Sequence, residues 1–432
     1  MSKFFYNPVV GIDVSADFSM VAILKPNGDI YRKPFKVKHD VDGFRHLEKA
    51  IKKVEKEFDM KTGIFMESTG VYHLTLFHYL KNSNLEVYII NPLVTNSNKN
   101  SDIRKVKNDK KDALSIANLG KFQNIKAYSY FEISMFSLKG LCRDYYKLVD
   151  TRSVYKKKLS TDLRVIFPGY HKVFSDITGI SSVALLKIYT SPNDILVAPK
   201  DDIIELLAKS SGKGFKWANT TYNKLIKAAS DASIIGIPAY EFATKISINI
   251  SIIETFNKQI DNLKNQIQEV VEGNTLPESF KKNLSLLLSI PGIGFISAVT
   301  ILAEIGDFKN FTKPKQLVAF FGVDPAVNES GKFKGDKEKI SKRGTRFGRR
   351  ALYAVALASI RSKRNGEANN KILLDYYSTN LKGKKRKVAL VAIMHKLLNY
   401  IFAVLRNQKE YEERPPKIHS QMHMRNSIKS VA

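Results

Sequence analysis

The order of strand and helix signals over the first ~120 residues constrains this chain most. Residues 9–14 (VVGIDV) form a short apolar run, and Ser19 to Leu24 form a second. Pro26-Asn27-Gly28-Asp29 is a strong turn, followed by a third strand-like run from Ile30 to Val37. Asp42 to Phe58 then carries Phe44, Leu47, Ile51 and Val54 at helical spacing. Gly63 to Glu67 reads as a fourth strand, Val71 to Leu80 as a helix, Leu85 to Ile90 as a fifth strand and Asp109 to Leu119 as a helix. Three meandering strands followed by strand–helix repeats predict an α/β domain over 1–125, a mixed sheet with helices on its faces.

A helical region, 126–283, is expected next. Leu138, Leu141, Tyr145, Leu148, Tyr155 and Leu159 follow three- and four-residue spacings, and Ile246, Ile253, Phe256, Ile260, Leu263, Ile267 and Val270 repeat the pattern. Spacing of this kind predicts a coiled coil, with Asn249 as a polar intruder, whose two segments pair with each other or with a second chain. Two core-facing helices of an ordinary bundle satisfy the same pattern. Residues 175–240 hold mixed helix and loop signals. A third, all-α unit is expected over 284–405, where an Ile290-Pro291-Gly292-Ile293-Gly294 turn leads into an apolar helix, with a loose tail at 406–432.

Charge narrows the function. Lys and Arg number 70 against 41 Asp and Glu, a net charge of +29, which favours a polyanionic partner, nucleic acid before membrane. The single cysteine, Cys142, has no partner for a disulfide or a zinc site, so the chain reads as cytoplasmic. The most apolar stretch, Val388 to Leu405, contains His395, Lys396 and Asn399 and fits a buried helix better than a membrane span. No membrane role is expected.

Within this basic chain stand a few acidic residues at telling places. Asp13 ends the first strand, Glu67 ends the fourth, and Asp109 and Asp112 share one face of a helix start. Four carboxylates from two strand ends and a helix suit hard, oxygen-seeking Mg²⁺, and a pair of such ions stabilises both attacking and leaving oxygens in phosphoryl transfer. Singly, each fits a turn or cap equally well. Gly292 and Gly294 would let backbone approach a phosphate at a helix N-terminus, as in a helix-hairpin-helix, or serve as a packing turn. Asn328-Glu329-Ser330-Gly331 then precedes a belt of Lys332, Lys334, Lys337, Lys339, Lys342, Arg343, Arg346, Arg349 and Arg350, offset only by Asp336 and Glu338. Such a belt is a phosphate footprint, and a serine among these cations, Ser330 or Ser341, could act as a nucleophile.

These motifs resemble a known family. VVGIDVS around Asp13, FMESTGVYH around Glu67 and KVKNDKKDA around Asp109 and Asp112 are similar to the DEDD nuclease domain of one class of insertion-sequence transposases. SIPGIGFISA, QLVAFFGVDP, NESG and ISKRGTRFGRRAL resemble that class's C-terminal transposase domain, so the likeness runs from about Val9 to about Leu405. The resemblance implies an RNase H/RuvC-like N-terminal domain, a coiled coil and a mainly helical domain carrying a catalytic serine. It also implies a recombinase that excises and inserts its element in bacterial cytoplasm, at the nucleoid, guided by a structured bridge RNA that pairs with donor and target DNA. Carried over, Asp13, Glu67, Asp109 and Asp112 would bind Mg²⁺. Ser330, in the family's S-G motif, would attack DNA and form a phosphoserine link, with Ser341 the second candidate. A composite site would need the two domains docked, and the coiled coil would build dimers and tetramers. His73, beside the Glu67 motif, has a packing or a substrate role.

Two other classes remain open from the residues alone. A Mg²⁺-dependent, structure-selective nuclease of the Holliday-junction resolvase kind needs only the carboxylates. A non-catalytic nucleic-acid binder needs only the charge, and gains nothing from four clustered anions.

Overall fold

The structure, a computed structural model, describes residues 2–67, 71–90, 108–123, 133–237, 240–326, 329–330, 333–334 and 339–414; at 133, 240, 329–330 and 333–334 it describes the backbone alone. The chain divides into two compact units, Met1–Tyr130 and Phe131–Ala432.

The first unit is built on five strands: β1 (Val9–Val14), β2 (Phe18–Leu24), β3 (Ile30–Lys38), β4 (Gly63–Glu67) and β5 (Glu86–Ile90). Their order is β3-β2-β1-β4-β5. The meander β1–β2–β3 is antiparallel, while β4 and β5 add parallel to β1. This is the mixed sheet expected from the alternation of signals. The helix Val41–Phe58 begins where the Asp40 side chain accepts from Gly43 N–H, and buries Phe44, Leu47, Ile51 and Val54. It covers one face, where Val10, Ile12, Ile23, Ile64 and Met66 form a core with Leu76 and Phe77 of the helix His73–Asn82. The opposite face, carrying Val9, Leu24 and Phe65, is covered by the helix Asp109–Phe122 through Ile116, Ala117 and Leu119. Lys121, fully buried, ties that helix to the chain start by donating to the Phe5 and Asn7 carbonyls at 2.9 Å.

Among its described residues the second unit is helical, apart from one short hairpin and two isolated bridges. Its spine is two long helices, Ile133–Ile166 and Tyr240–Glu272. They run antiparallel within one chain: Arg152 donates to Asn257 at 2.7 Å, Tyr155 meets Phe256, and Asn249 donates to Asp162 at 2.8 Å. The polar intruder Asn249 thus finds a partner inside the pair, which fixes its register. The two helices bridge two cores rather than pairing in isolation. Leu159, Leu163, Ile246, Ile250 and Ile253 join one core with the helices between Tyr170 and Ile235, which fill the stretch that gave mixed signals. Leu138, Cys142, Tyr146, Ile267 and Val271 join the other, with the C-terminal helices.

Two expected boundaries differ from the structure. A break at 283/284 falls inside the helix Glu278–Leu288, whose Phe280 and Leu284 pack in the same core as Leu390 and Leu397. Residue 406 is not the start of a loose tail. The last helix runs Arg386–Asn407, and Tyr411 beyond it packs its ring at a tilt against Tyr400 and donates its N–H to Ser289 Oγ at 2.8 Å. That helix is long and apolar enough to cross a membrane, yet ten of its side chains, including Leu390, Ile393, Leu397 and Ile401, are buried in the protein. Residues 415–432 of the expected tail lie outside the described residues.

Candidate active site

Side chains alternate across a strand, so residue parity decides which layer each acidic residue meets. On β1, Val10, Ile12 and Val14 face the core under the first helices, which leaves Val9, Gly11 and Asp13 toward Asp109–Phe122. On β4, Ile64 and Met66 take the first face, and Phe65 and Glu67 the second. Because β1 and β4 are parallel, with Ile12 opposite Met66, Asp13 and Glu67 end neighbouring strands at the same sheet edge.

The covering helix runs the other way. Its C-terminal Gly120 lies against Phe65, and Ser2 Oγ donates to the Gly120 carbonyl at 2.7 Å. Its early residue Ala113 packs on Met20, the β2 partner of Asp13. Its first turn, with Asp109 and Asp112, therefore comes to the Asp13 end of the sheet. Asn108 caps it by accepting from Lys110 N–H at 3.0 Å, and the two carboxylates sit where helix N–H groups favour negative charge. Close packing depends on Gly11: a Cβ there would lie 2.2 Å from the Ala113 carbonyl oxygen and 2.3 Å from the Ala117 nitrogen.

All four carboxylates are thus half-exposed, on one sheet face and at one end. The donor set suits Mg²⁺ in kind, being all carboxylate oxygen. It is not gathered to a point: among the described residues no three His, Cys, Asp or Glu side chains stand close enough together to hold a metal ion. Two of the groups belong to the sheet layer and two to the helix layer above it.

The C-terminal motifs have separate fates. Gly292 adopts φ 98, and a Cβ there would lie 2.3 Å from Ser359 Oγ. Asn370 Nδ2 donates to the Pro291 carbonyl at 3.3 Å beside it. Packing accounts for this glycine. Gly294 is exposed at the start of the helix Phe295–Ile305, with open space around it. Ser330 lies on β6 (Glu329–Ser330), which pairs antiparallel with β7 (Phe333–Lys334), matching Ser330 to Phe333. Lys332, Lys337 and the side chain of Lys334 lie outside the described residues.

Of the belt residues nearby, Lys342, Arg343 and Arg346 are exposed, the last opening the helix Arg346–Ser359. Arg349 and Arg350 are engaged within the protein. Arg349 Nη1 donates to the carbonyls of Phe321 and Gly344 at 3.0 and 3.1 Å, and burial lowers its pKa. Arg350 pairs with Asp150 at 3.1 Å and lies over Tyr146. A groove lined by Asp150, Ile340, Arg346, Phe347, Arg349 and Arg350 runs along this helix.

Several partners here carried no sequence signal. Glu304, 2% exposed, accepts from Arg143 Nε and Nη2 at 2.6 and 3.0 Å and pairs with Lys139 at 3.4 Å. Burial pushes Glu304 up, but the Arg143 hydrogen bonds and the two positive charges outweigh it and hold the carboxyl below its ordinary range. This cluster fastens the long Ile133–Ile166 helix to the C-terminal core. Asp324 accepts a hydrogen bond from Ser341, seventeen residues away. Cys142 is inert by contrast: burial pushes its thiol up to about 12.

Comparison with known proteins agrees with this two-part arrangement. Residues 10–168 match the DEDD family model described as "Transposase", named for IS110, and residues 284–371 match "Transposase IS116/IS110/IS902 family". Both matches are to IS110/IS116-type transposases. The IS110/IS116 likeness thus covers the acidic sheet, the long helix Ile133–Ile166 and the serine hairpin, and leaves residues 169–283 outside. Among curated relatives, the chain is 32% identical over 162 residues to a pilin gene-inverting protein of Moraxella bovis, covering 38% of this chain and 48% of that one. It is 35% identical over 126 residues to the transposase for IS1111A of Coxiella burnetii, covering 28% and 33%. An uncharacterized 43.6 kDa protein of insertion element IS110 from Streptomyces coelicolor matches at 24% over 233 residues, covering 54% and 53%. The chain therefore spans about half or less of these relatives. Among solved structures, T. thermophilus RuvC in complex with a Holliday junction substrate matches at 11% identity, covering 28% of this chain and 99% of that one, with a TM-score of 0.21. A score that low bears no weight, and the fold assignment rests on the strand order.

Proposed function

We propose that this protein is the DNA transposase of an insertion sequence, a site-specific recombinase that cuts and rejoins DNA with an acidic Mg²⁺ centre and a serine nucleophile. The observation that carries this is the pairing of two transposase likenesses in one chain, one over the acidic sheet edge and one over the serine hairpin. Asp13, Glu67, Asp109 and Asp112 share one end of the sheet face without being gathered to a point, and they would hold Mg²⁺ only if drawn closer together; the ion when bound would neutralise charge on the reacting phosphate. In the serine half, Ser330 Oγ attacks phosphorus of a DNA phosphodiester. The Oγ–P bond forms as the bond to the leaving deoxyribose oxygen breaks, and that oxygen gains a proton as the serine hydroxyl loses one. Lys342, Arg343 and Arg346, exposed beside the hairpin, hold the DNA backbone. A bridge RNA is the proposed guide to donor and target DNA, and dimers assembling to tetramers the proposed working form; the +29 charge supports polyanionic partners.

Covalent capture tests the reading. Protein, Mg²⁺, element-end DNA and RNA from the flanking noncoding region are mixed and resolved on a denaturing gel. A protein–DNA adduct lost in Ser330→Ala supports the serine recombinase. Cleavage without an adduct would instead make it a Mg²⁺-dependent, structure-selective nuclease of the junction-resolving kind, with Ser330 as a phosphate contact.

A further inference from the structure

Among the described residues, the hairpin that carries Ser330 pairs Glu329 with Lys334 and Ser330 with Phe333 through two-residue strands. Strands this short have almost no stability of their own. Its root is bonded far more heavily. Ser341 donates its Oγ–H to Asp324 Oδ1 at 2.6 Å and its N–H to the Asp324 carbonyl at 2.8 Å. Ala326 N–H donates to the Lys339 carbonyl at 2.7 Å, and Pro325 and Ile340 form an antiparallel bridge. Just below, Lys342 turns through φ 54 and donates its N–H to the Gly322 carbonyl at 3.1 Å.

Segments 320–324 and 341–345 meet there backbone to backbone. A Cβ at Gly344 would lie 2.1 Å from the Phe320 carbonyl oxygen, and one at Gly322 would lie 2.8 Å from the Arg343 nitrogen; both glycines have positive φ, 156 and 62. One guanidinium spans the junction, since Arg349 Nη1 bonds a carbonyl from each segment, Phe321 and Gly344. Residues 324–326 and 339–341, which flank the Ser330 hairpin, are thus fixed to each other.

We infer that Asp324 and Ser341, braced by Arg349, form a staple that aims the Ser330 hairpin and so act as positioning residues for DNA cleavage. The inference rests on Ser330 being the nucleophile. Ser341 itself is committed twice over to Asp324, by its hydroxyl and by its amide. A staple of this sort acts through geometry: misplacing a nucleophile by about 1 Å costs up to roughly a hundredfold in rate.

The test uses the full-length protein with Ser341→Ala, Asp324→Ala and the conservative Ser341→Thr and Asp324→Asn, which keep a donor and an acceptor. Two readouts are taken: amide hydrogen exchange of peptides within 320–345, and the rate of covalent adduct formation on element-end DNA with Mg²⁺ and flanking RNA. In the alanine variants, exchange in the 324–341 peptides should speed by about tenfold, while peptides of the sheet stay unchanged. Adduct formation should slow by ~10–100-fold with DNA affinity held, and the conservative variants should restore both. Unchanged exchange overturns the staple. Faster exchange with an unchanged adduct rate overturns its positioning role. An adduct lost in Ser341→Ala but kept in Ser330→Ala makes Ser341 the nucleophile and overturns the proposal. Wild type without any adduct overturns the Ser330 reading beneath it, while exchange still reports on the staple separately.

Discussion

The acidic edge of the sheet and the serine hairpin present reactive groups by opposite means. Asp13 and Glu67 are aimed by strand parity, and Asp109 and Asp112 by a helix start pressed onto the same face through Gly11. Backbone periodicity does the aiming, and each neighbour is a repeat of regular structure. Ser330 sits on a two-residue strand whose root is tied by side chains from Asp324, Ser341 and Arg349. The first arrangement is held by backbone packing along whole elements, the second by a few side-chain contacts.

The largest effect expected on either side of this contrast comes from the reacting groups themselves. Asp13→Asn should cut strand exchange by at least about a hundredfold while leaving salt-sensitive nucleic-acid binding intact. A fully active variant would remove the metal site. Next comes the packing that carries Asp109 and Asp112. Gly11→Val should destabilise the first unit by about 1–3 kcal/mol, read as a lower midpoint in urea, because its side chain meets helix backbone 2.2 Å from the position of Cβ. If the midpoint does not move, the helix is not held by that contact.

A smaller effect, confined to the second unit, comes from acid. Glu304 is held below its ordinary pKa, so its contribution is fully present above the unfolded glutamate value, about 4.3, and is lost as pH falls from there through the folded value. Thermal melting of wild type should therefore drop more steeply below about pH 4 than that of Glu304→Gln, which has no such group to protonate. Parallel pH curves would show that the cluster contributes no linkage. The smallest effect belongs to the surface. Replacing Lys342, Arg343 and Arg346 with alanine should lower the salt slope of DNA binding by about one for each phosphate these side chains neutralise. An unchanged slope would take them out of the interface.

Arg349 and Arg350 mark the limit of reading a charge run. In the sequence they are indistinguishable from Arg346, yet their guanidiniums are spent on the Phe321 and Gly344 carbonyls and on Asp150. Gly292 is similar: its P-G-I-G setting fits a phosphate turn, while in the fold it makes room for Ser359. Apart from Gly344, the partners in both cases lie tens to hundreds of positions away, where no local pattern reaches.

Whatever repeats with a short period was legible in the amino-acid order. Apolar runs marked the five strands and put Asp13 and Glu67 at strand ends, and three- and four-residue spacing marked the two long helices. Whether those helices would pair with each other or with a second chain was open, and the Asn249–Asp162 and Arg152–Asn257 contacts decided it within one chain. Packing of distant segments also buried Glu304 against Arg143 and joined Asp324 to Ser341. The reason is physical: periodic burial is a local property of the backbone, while a buried polar group finds its partner only after distant segments have come together.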